Sequence, residues 1–223
     1  MVQKLNDLTA GTPEENSTAH ALSLTYSRQP NMSSLFNHAS MAHNNHFFFE
    51  ALSPSPPPIS NSLTTQLNQD FGSLETLKQT MLSTANAMFG PGFVWLVKAK
   101  PSSNATVQSQ EQRFRVLCTY LAGSPYAGAH WRQQGTDMNT VANQTAGAFG
   151  AFSVGGQRDA ALAPGGTGVS PVLCVNTWEH VWLRDWGIFR KRNFVERWWE
   201  CVDWGVVEAR VPKTQGLRGR PFI

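Results

Sequence analysis

The chain has 223 residues, of which 41% are hydrophobic and eight are Trp; this is ample apolar material for one large domain or two small ones and excludes a disordered polypeptide. Only 15% of residues are charged, so the surface is amide-rich and apolar, and part of it is expected to be covered by partners. The net charge is +3, and from Arg184 to the end nine basic residues stand against five acidic ones, so half of the 18 Lys and Arg lie in that stretch. A basic end on a poorly charged body suits RNA or another polyanion, and suits equally a solvated helix face followed by a tail.

Cys118, Cys174 and Cys201 are far apart and show no CxxC spacing, which points to reduced thiols in a non-secreted protein. No apolar run reaches the length of a membrane span. The opening "MVQKLNDLTAG" is neither a signal core nor an Arg-rich presequence, so the chain lacks a targeting segment or starts downstream of one.

In chain order, residues 1–32 read as a loose N-terminal segment. "SSLFNHASMAHNNHFFFEAL", Ser33 to Leu52, contains no Gly or Pro, repeats apolar residues at helical spacing, and is predicted to be one helix. The prolines of "SPSPPPIS" stop it and form a stiff linker that closes a unit at 33–58. Two helices follow, from about Ser60 to Gln69 and from Ser73 to Met88, with Ser73 as N-cap of the second. "GFVWLVKAK" and "QRFRVLCTYLAG" are predicted as paired strands. The Gly/Ala/Gln/Asn-rich interval 124–168 has too little aliphatic content for a core and reads as an insertion ordered by a partner. "PVLCVNT" is a third strand, residues 179–186 follow it, and "RNFVERWWECVDWGVVEA" is predicted as one closing helix with Phe194, Trp198, Cys201 and Val202 on a stripe. Trp182, Trp186, Trp198, Trp199 and Trp204 are most simply core, and residues 211–223 form a basic tail.

Four segments carry a family resemblance: "FNHASMAHNNHFFFEALSP", "DFGSLETLKQTMLSTANAMFGPGFVWLVK", "PVLCVNTWEHVWLRDW" and "RNFVERWWECVDWGVV". Their order and character resemble the iron/manganese superoxide dismutases, whose FGSGWxWL and DxWEHAYY segments they echo. The resemblance implies an α+β fold: a remnant N-terminal helical hairpin, then an α/β C-terminal domain over 59–210 with a three-stranded antiparallel sheet. It also implies one redox metal held by three His and one Asp. The Asp falls on Asn176, and the last His is kept as His180. The His of the second helix falls on Asn45 in an ungapped match, while a one-residue shift would supply His46 at the cost of turning the side chain by about 100° around the helix. The first helix, with its His and Tyr, has too few residues upstream, which leaves an apolar face of the next helix uncovered; Tyr26 is out of place to serve.

At most two of the four ligands survive, so no cofactor is expected, manganese or iron being the alternative. His180 reads as a buried, hydrogen-bonded His rather than a ligand, and the resemblance assigns Glu179 and His180 to a dimer interface. His38, His43 and His46 lack the HExxH spacing of a zinc pair, and no GxSxG, P-loop or Rossmann pattern supports other chemistry. The chain is most similar in these respects to the superoxide-dismutase-like proteins of the fungal mitochondrial small ribosomal subunit. That implies a structural role in the matrix, a homo- or heterodimer with a related protein, and contacts to ribosomal proteins and small-subunit rRNA but not to membrane. Arg190, Lys191, Arg192, Arg210, Lys213, Arg218 and Arg220 are the expected contacts to RNA or acidic neighbours.

Overall fold

The structure is a computed structural model that describes residues 1–27, 29–99, 113–126, 129 and 169–212. The fold is α+β. Its N-terminal helices are α1 (Val2–Thr9), α2 (Ala19–Tyr26) and α3 (Ser33–Glu50), with a short 3-10 turn at Pro30–Met32. The segment expected to be loose is therefore largely helical. Leu5 of α1 and Leu22 of α2 bury themselves against Leu35 and Ala39 of α3. Eight-residue helices are unstable alone and take their stability from such packing, which sequence periodicity over so short a window does not reveal. Thr18 caps α2, its hydroxyl accepting from the Ala21 N–H at 3.1 Å. The α3 face expected to be bare is thus covered by this chain's own residues.

The opposite side of α3 serves the main core through Met41, Phe47 and Phe48, so this one helix is buried on two sides. After the proline linker, α4 (Asn61–Phe71) and α5 (Leu74–Ala87) each start at a serine cap: Ser60 Oγ accepts from Leu63 N at 3.1 Å and Ser73 Oγ from Thr76 N at 3.0 Å. Gly72 joins them at a φ of 82°, a left-handed turn that a side chain would strain.

Strands β1 (Gly92–Ala99), β2 (Phe114–Tyr120) and β3 (Val169–Asn176) form one antiparallel sheet in the order β2-β1-β3. Central β1 is inaccessible from Phe93 to Val97, which explains its unbroken apolar run. Trp95 satisfies its indole by donating to Thr119 Oγ1 at 2.9 Å. Gly92 is required where β1 meets β2, because a Cβ there would lie 2.1 Å from the Thr119 carbonyl oxygen. Helix α5 packs against β1 and β2, α4 against β2, and α3 against β3.

The expected closing helix is two. Beyond α6 (Glu179–Trp186), α7 (Lys191–Glu200) ends before Cys201 and α8 (Trp204–Arg210) starts afresh. Asp203 caps α8 by accepting from Gly205 N at 3.0 Å and Val206 N at 3.1 Å. The broken backbone pairs instead with the end of α3: Ser53 N donates to Cys201 O at 2.8 Å and Asp203 N to Ala51 O at 2.9 Å. A local periodicity thus yielded to a long-range pairing. On the expected stripe, Trp198 and Val202 are buried, whereas Phe194 and Cys201 are half-buried. Among the described residues no helix is long and apolar enough to cross a membrane.

Candidate functional site

The end of β3 brings Asn176, fully buried, against α3. Its Nδ2 donates to Asn45 Oδ1 at 2.8 Å, while its Oδ1 accepts from Trp178 N at 2.9 Å in an Asx turn. Asn45 in turn donates through Nδ2 to the Met41 carbonyl at 2.8 Å. The chain of bonds is anchored by a backbone N–H at one end and a backbone C=O at the other, so the polarity of those ends sets the orientation of both amides. Each Asn oxygen already accepts a hydrogen, and an amide nitrogen has no free lone pair to give a metal.

His46, the alternative to Asn45, points away: its side chain is 71% exposed and its Nε2 lies 3.0 Å from Glu50 Oε1. The helical rotation of about 100° per residue separates the two positions as expected. His180 and Glu179 are both exposed at the start of α6, so His180 is not the buried histidine the sequence suggested; its ring lies against Trp178 at 5.6 Å. No group of three His, Cys, Asp or Glu able to hold a metal occurs among the described residues. The residues present do not fit the iron or manganese site that the resemblance implies.

One cluster escaped the sequence reading. The ring of His20 of α2 lies tilted against His43 of α3 at 4.8 Å and against Tyr126 at 4.4 Å, and His43 Nε2 is hydrogen-bonded to the Tyr126 hydroxyl at 2.9 Å. Burial pushes the His43 pKa down to about 4, helped by His20, His46 and Arg210 and opposed by Glu50; burial also lowers His20 and raises Tyr126 to about 12. His43 is a neutral packing group, while His38 lies half-buried and His46 exposed elsewhere on α3. The four-residue spacing of Asn44 and Ser40 was the available signal for this region: Asn44 donates to Gly123 O at 3.0 Å and Ser40 to Ala122 O at 2.7 Å, tying α3 to the loop after β2.

That loop borders an open depression of about 740 Å³, lined among others by Phe36, Cys118, Leu121 and Trp178 and, among the described residues, by no charged one. Leu121 stands at its edge, 58% exposed, with a left-handed φ of 52°. A branched side chain in that conformation is strained by roughly 1 kcal/mol. The exposed Glu179 and His180 continue from Trp178.

The expected basic contacts divide. Arg190 and Arg192 are exposed at the start of α7, Arg192 paired with Glu196 at 3.0 Å. Lys191 is half-buried, and burial lowers its pKa against the attraction of Glu179. Arg210 is no surface cation: its guanidinium lies 3.6 Å from the Phe47 ring centre and donates to Phe47 O at 3.1 Å and Glu50 Oε2 at 2.9 Å. It fastens α8 to α3. Arg210→Ala strips a charge-assisted bond, a carbonyl partner and ring packing together, and is expected to cost about 2–3 kcal/mol in chemical denaturation. A loss no larger than that of Arg192→Ala would refute this role. Lys213, Arg218 and Arg220 lie outside the described residues, as do most of the 124–168 interval and the tail.

A two-sided α3, a three-stranded antiparallel sheet and a WEH turn beside a remnant metal position define a superoxide-dismutase-like domain. The family model described as iron/manganese superoxide dismutases, C-terminal domain, matches residues 59–125 and 127–210, and the chain belongs to that family. Small ribosomal subunit protein mS43 of Schizosaccharomyces pombe is 26% identical over 220 residues, covering 95% of this chain and 73% of the relative. Small ribosomal subunit protein mS42 of the same organism is 28% identical over 192 residues, covering 83% and 70%. An iron superoxide dismutase of Helicobacter pylori is 37% identical, but over 124 residues that cover 56% of this chain and 52% of the enzyme.

Proposed function

We propose that this chain is a protein of the mitochondrial small ribosomal subunit, in which a superoxide dismutase fold acts as a scaffold without a redox metal. The observation that carries the reading is the Asn45–Asn176 pair: two positions that would hold a metal are neutral amides bonded to one another, and each amide oxygen accepts a hydrogen bond. The relatives support the location, since mS43 and mS42 align along 95% and 83% of the chain at 26% and 28% identity, whereas the iron superoxide dismutases that span as much of it do so at 22–24% identity.

The scaffold pairs with a second superoxide-dismutase-like chain through the uncharged depression, Leu121, Trp178, Glu179 and His180. An exposed apolar rim and a strained exposed Leu suit a surface that is covered on assembly. The exposed cations of α7 face rRNA or acidic neighbours.

Sedimentation of the tagged protein from lysed mitochondria at moderate salt, with manganese and iron read across the fractions, tests the proposal. Co-migration with the small subunit without stoichiometric metal is the expected result. A free dimer-sized peak carrying about one metal per chain would overturn it and restore the dismutase reading.

A further inference from the structure

The join between α6 and α7 forms an exposed knuckle. Gly187, at a φ of 74°, reverses the chain after α6, and its N–H bonds back to Leu183 O at 2.9 Å. The reversal puts Ile188 and Phe189 outward, 66% and 91% exposed, beside Leu183 at 37%. Burying a Phe side chain is ordinarily favourable by roughly 1.5–3 kcal/mol, so a ring left almost bare at a rigid turn forgoes a large gain.

The charge around it is one-sided. From Arg184 to Arg197 the basic residues Arg184, Arg190, Lys191, Arg192 and Arg197 outnumber Asp185 and Glu196. Arg192 and Arg197 are engaged along α7 by Glu196 and Glu200, whereas neither Arg184 nor Arg190 is held in an ion pair among the described residues. Both are exposed. The depression beside Trp178 differs in kind: it is concave, and the described residues of its lining carry no charge.

We infer that the Ile188–Phe189 knuckle is a stacking platform for an unpaired RNA base, with Arg184 and Arg190 engaging the flanking phosphates. The inference rests on the ribosomal reading above and names the contact within it. An aromatic ring with a free face stacks any base, and guanidinium groups on either side supply the backbone contacts that stacking alone lacks. The exposed cations that flank the knuckle in the chain, Arg184 and Arg190, favour a polyanion over an apolar protein surface.

The test uses the full-length protein rebound to salt-washed small subunits lacking it. Phe189→Ala is expected to weaken rebinding about tenfold or more at every salt concentration, while Phe189→Trp rebinds like wild type. Arg184→Gln with Arg190→Gln is expected to lessen the slope of log affinity against log salt by about 1.5, for two phosphate contacts. Irradiation of the particles at 254 nm should leave a nucleotide adduct on the peptide carrying Phe189. These residues are exposed, so the variants keep the wild-type melting temperature. Unchanged rebinding of Phe189→Ala, or cross-links from that peptide to protein rather than RNA, would overturn the inference while leaving the ribosomal role intact. Failure of the wild-type chain to rebind would instead remove the ribosomal role, and this contact with it.

Discussion

Replacing Asn176 by aspartate lowers the melting temperature by roughly 5–15 °C at pH 7.5, although it restores the residue type that the family resemblance expects. The side chain is wholly buried. One carboxylate oxygen keeps the Trp178 N–H, but the other then faces Asn45 Oδ1, an oxygen against an oxygen, where Nδ2 now donates at 2.8 Å. Asn45 must turn its amide over and give up its Met41 bond, and the new charge still has no cation beside it. Burying a charge with one or two neutral donors costs about 2–4 kcal/mol, and each kcal/mol moves the midpoint of a domain this size by roughly 2–4 °C. Because burial raises the folded-state pKa of such a carboxyl above its unfolded value, the penalty is greatest at neutral pH and relaxes as acid protonates the group. Millimolar manganese should not recover the loss. Recovery with bound metal would show that the remaining groups still form a binding site, and would sink the scaffold reading.

The second large effect is an acid instability centred on His43. Its folded pKa lies at about 4, below the ordinary 6.5, because burial against Tyr126, Phe47 and His20 disfavours the imidazolium. A depressed histidine leaves stability complete above the unfolded pKa. Between pH 6.5 and 4 the unfolded chain takes up a proton that the folded chain refuses, so stability falls throughout that window. The full shift corresponds to about 3 kcal/mol, and screening by the solvent that reaches the ring reduces it to about 2 kcal/mol. His20 shifts in the same direction and adds to the slope. His43→Gln retains a hydrogen-bonding partner for the Tyr126 hydroxyl, since an amide both donates and accepts, and removes the titration. Denaturation midpoints measured from pH 7 to 4.5 should fall more steeply for wild type than for this variant; parallel curves would exclude His43 as the cause. Since His20, His43 and Tyr126 come from α2, α3 and the loop after β2, the N-terminal helices are expected to loosen first.

The linear sequence carried more of the core than of the site. The unbroken apolar run of β1, the serine cap at Ser73 and the helix that follows it are local signals, each set by a few neighbouring residues, and they are seen where expected. Misread elements were those decided by distant partners. Residues 2–9 and 19–26 are helical because α3 offers Leu35 and Ala39 to cover, and the helix expected over 192–209 breaks because Ala51 and Ser53, some 150 positions away, take its backbone bonds.

The same division runs through the functional residues. Sequence alone determined that an amide, Asn176, stands where the family resemblance expects the Asp ligand, since an Asn in place of an Asp is legible in one dimension, and it left the second-helix position between Asn45 and His46. Only tertiary structure decided that Asn45 rather than His46 faces Asn176, that the two amides are hydrogen-bonded to one another, that His180 is exposed and that Arg210 turns inward to Phe47. Residue type is a property of the chain, but the direction of a side chain and the identity of its partner are set by where a helix rotates and what packs beside it.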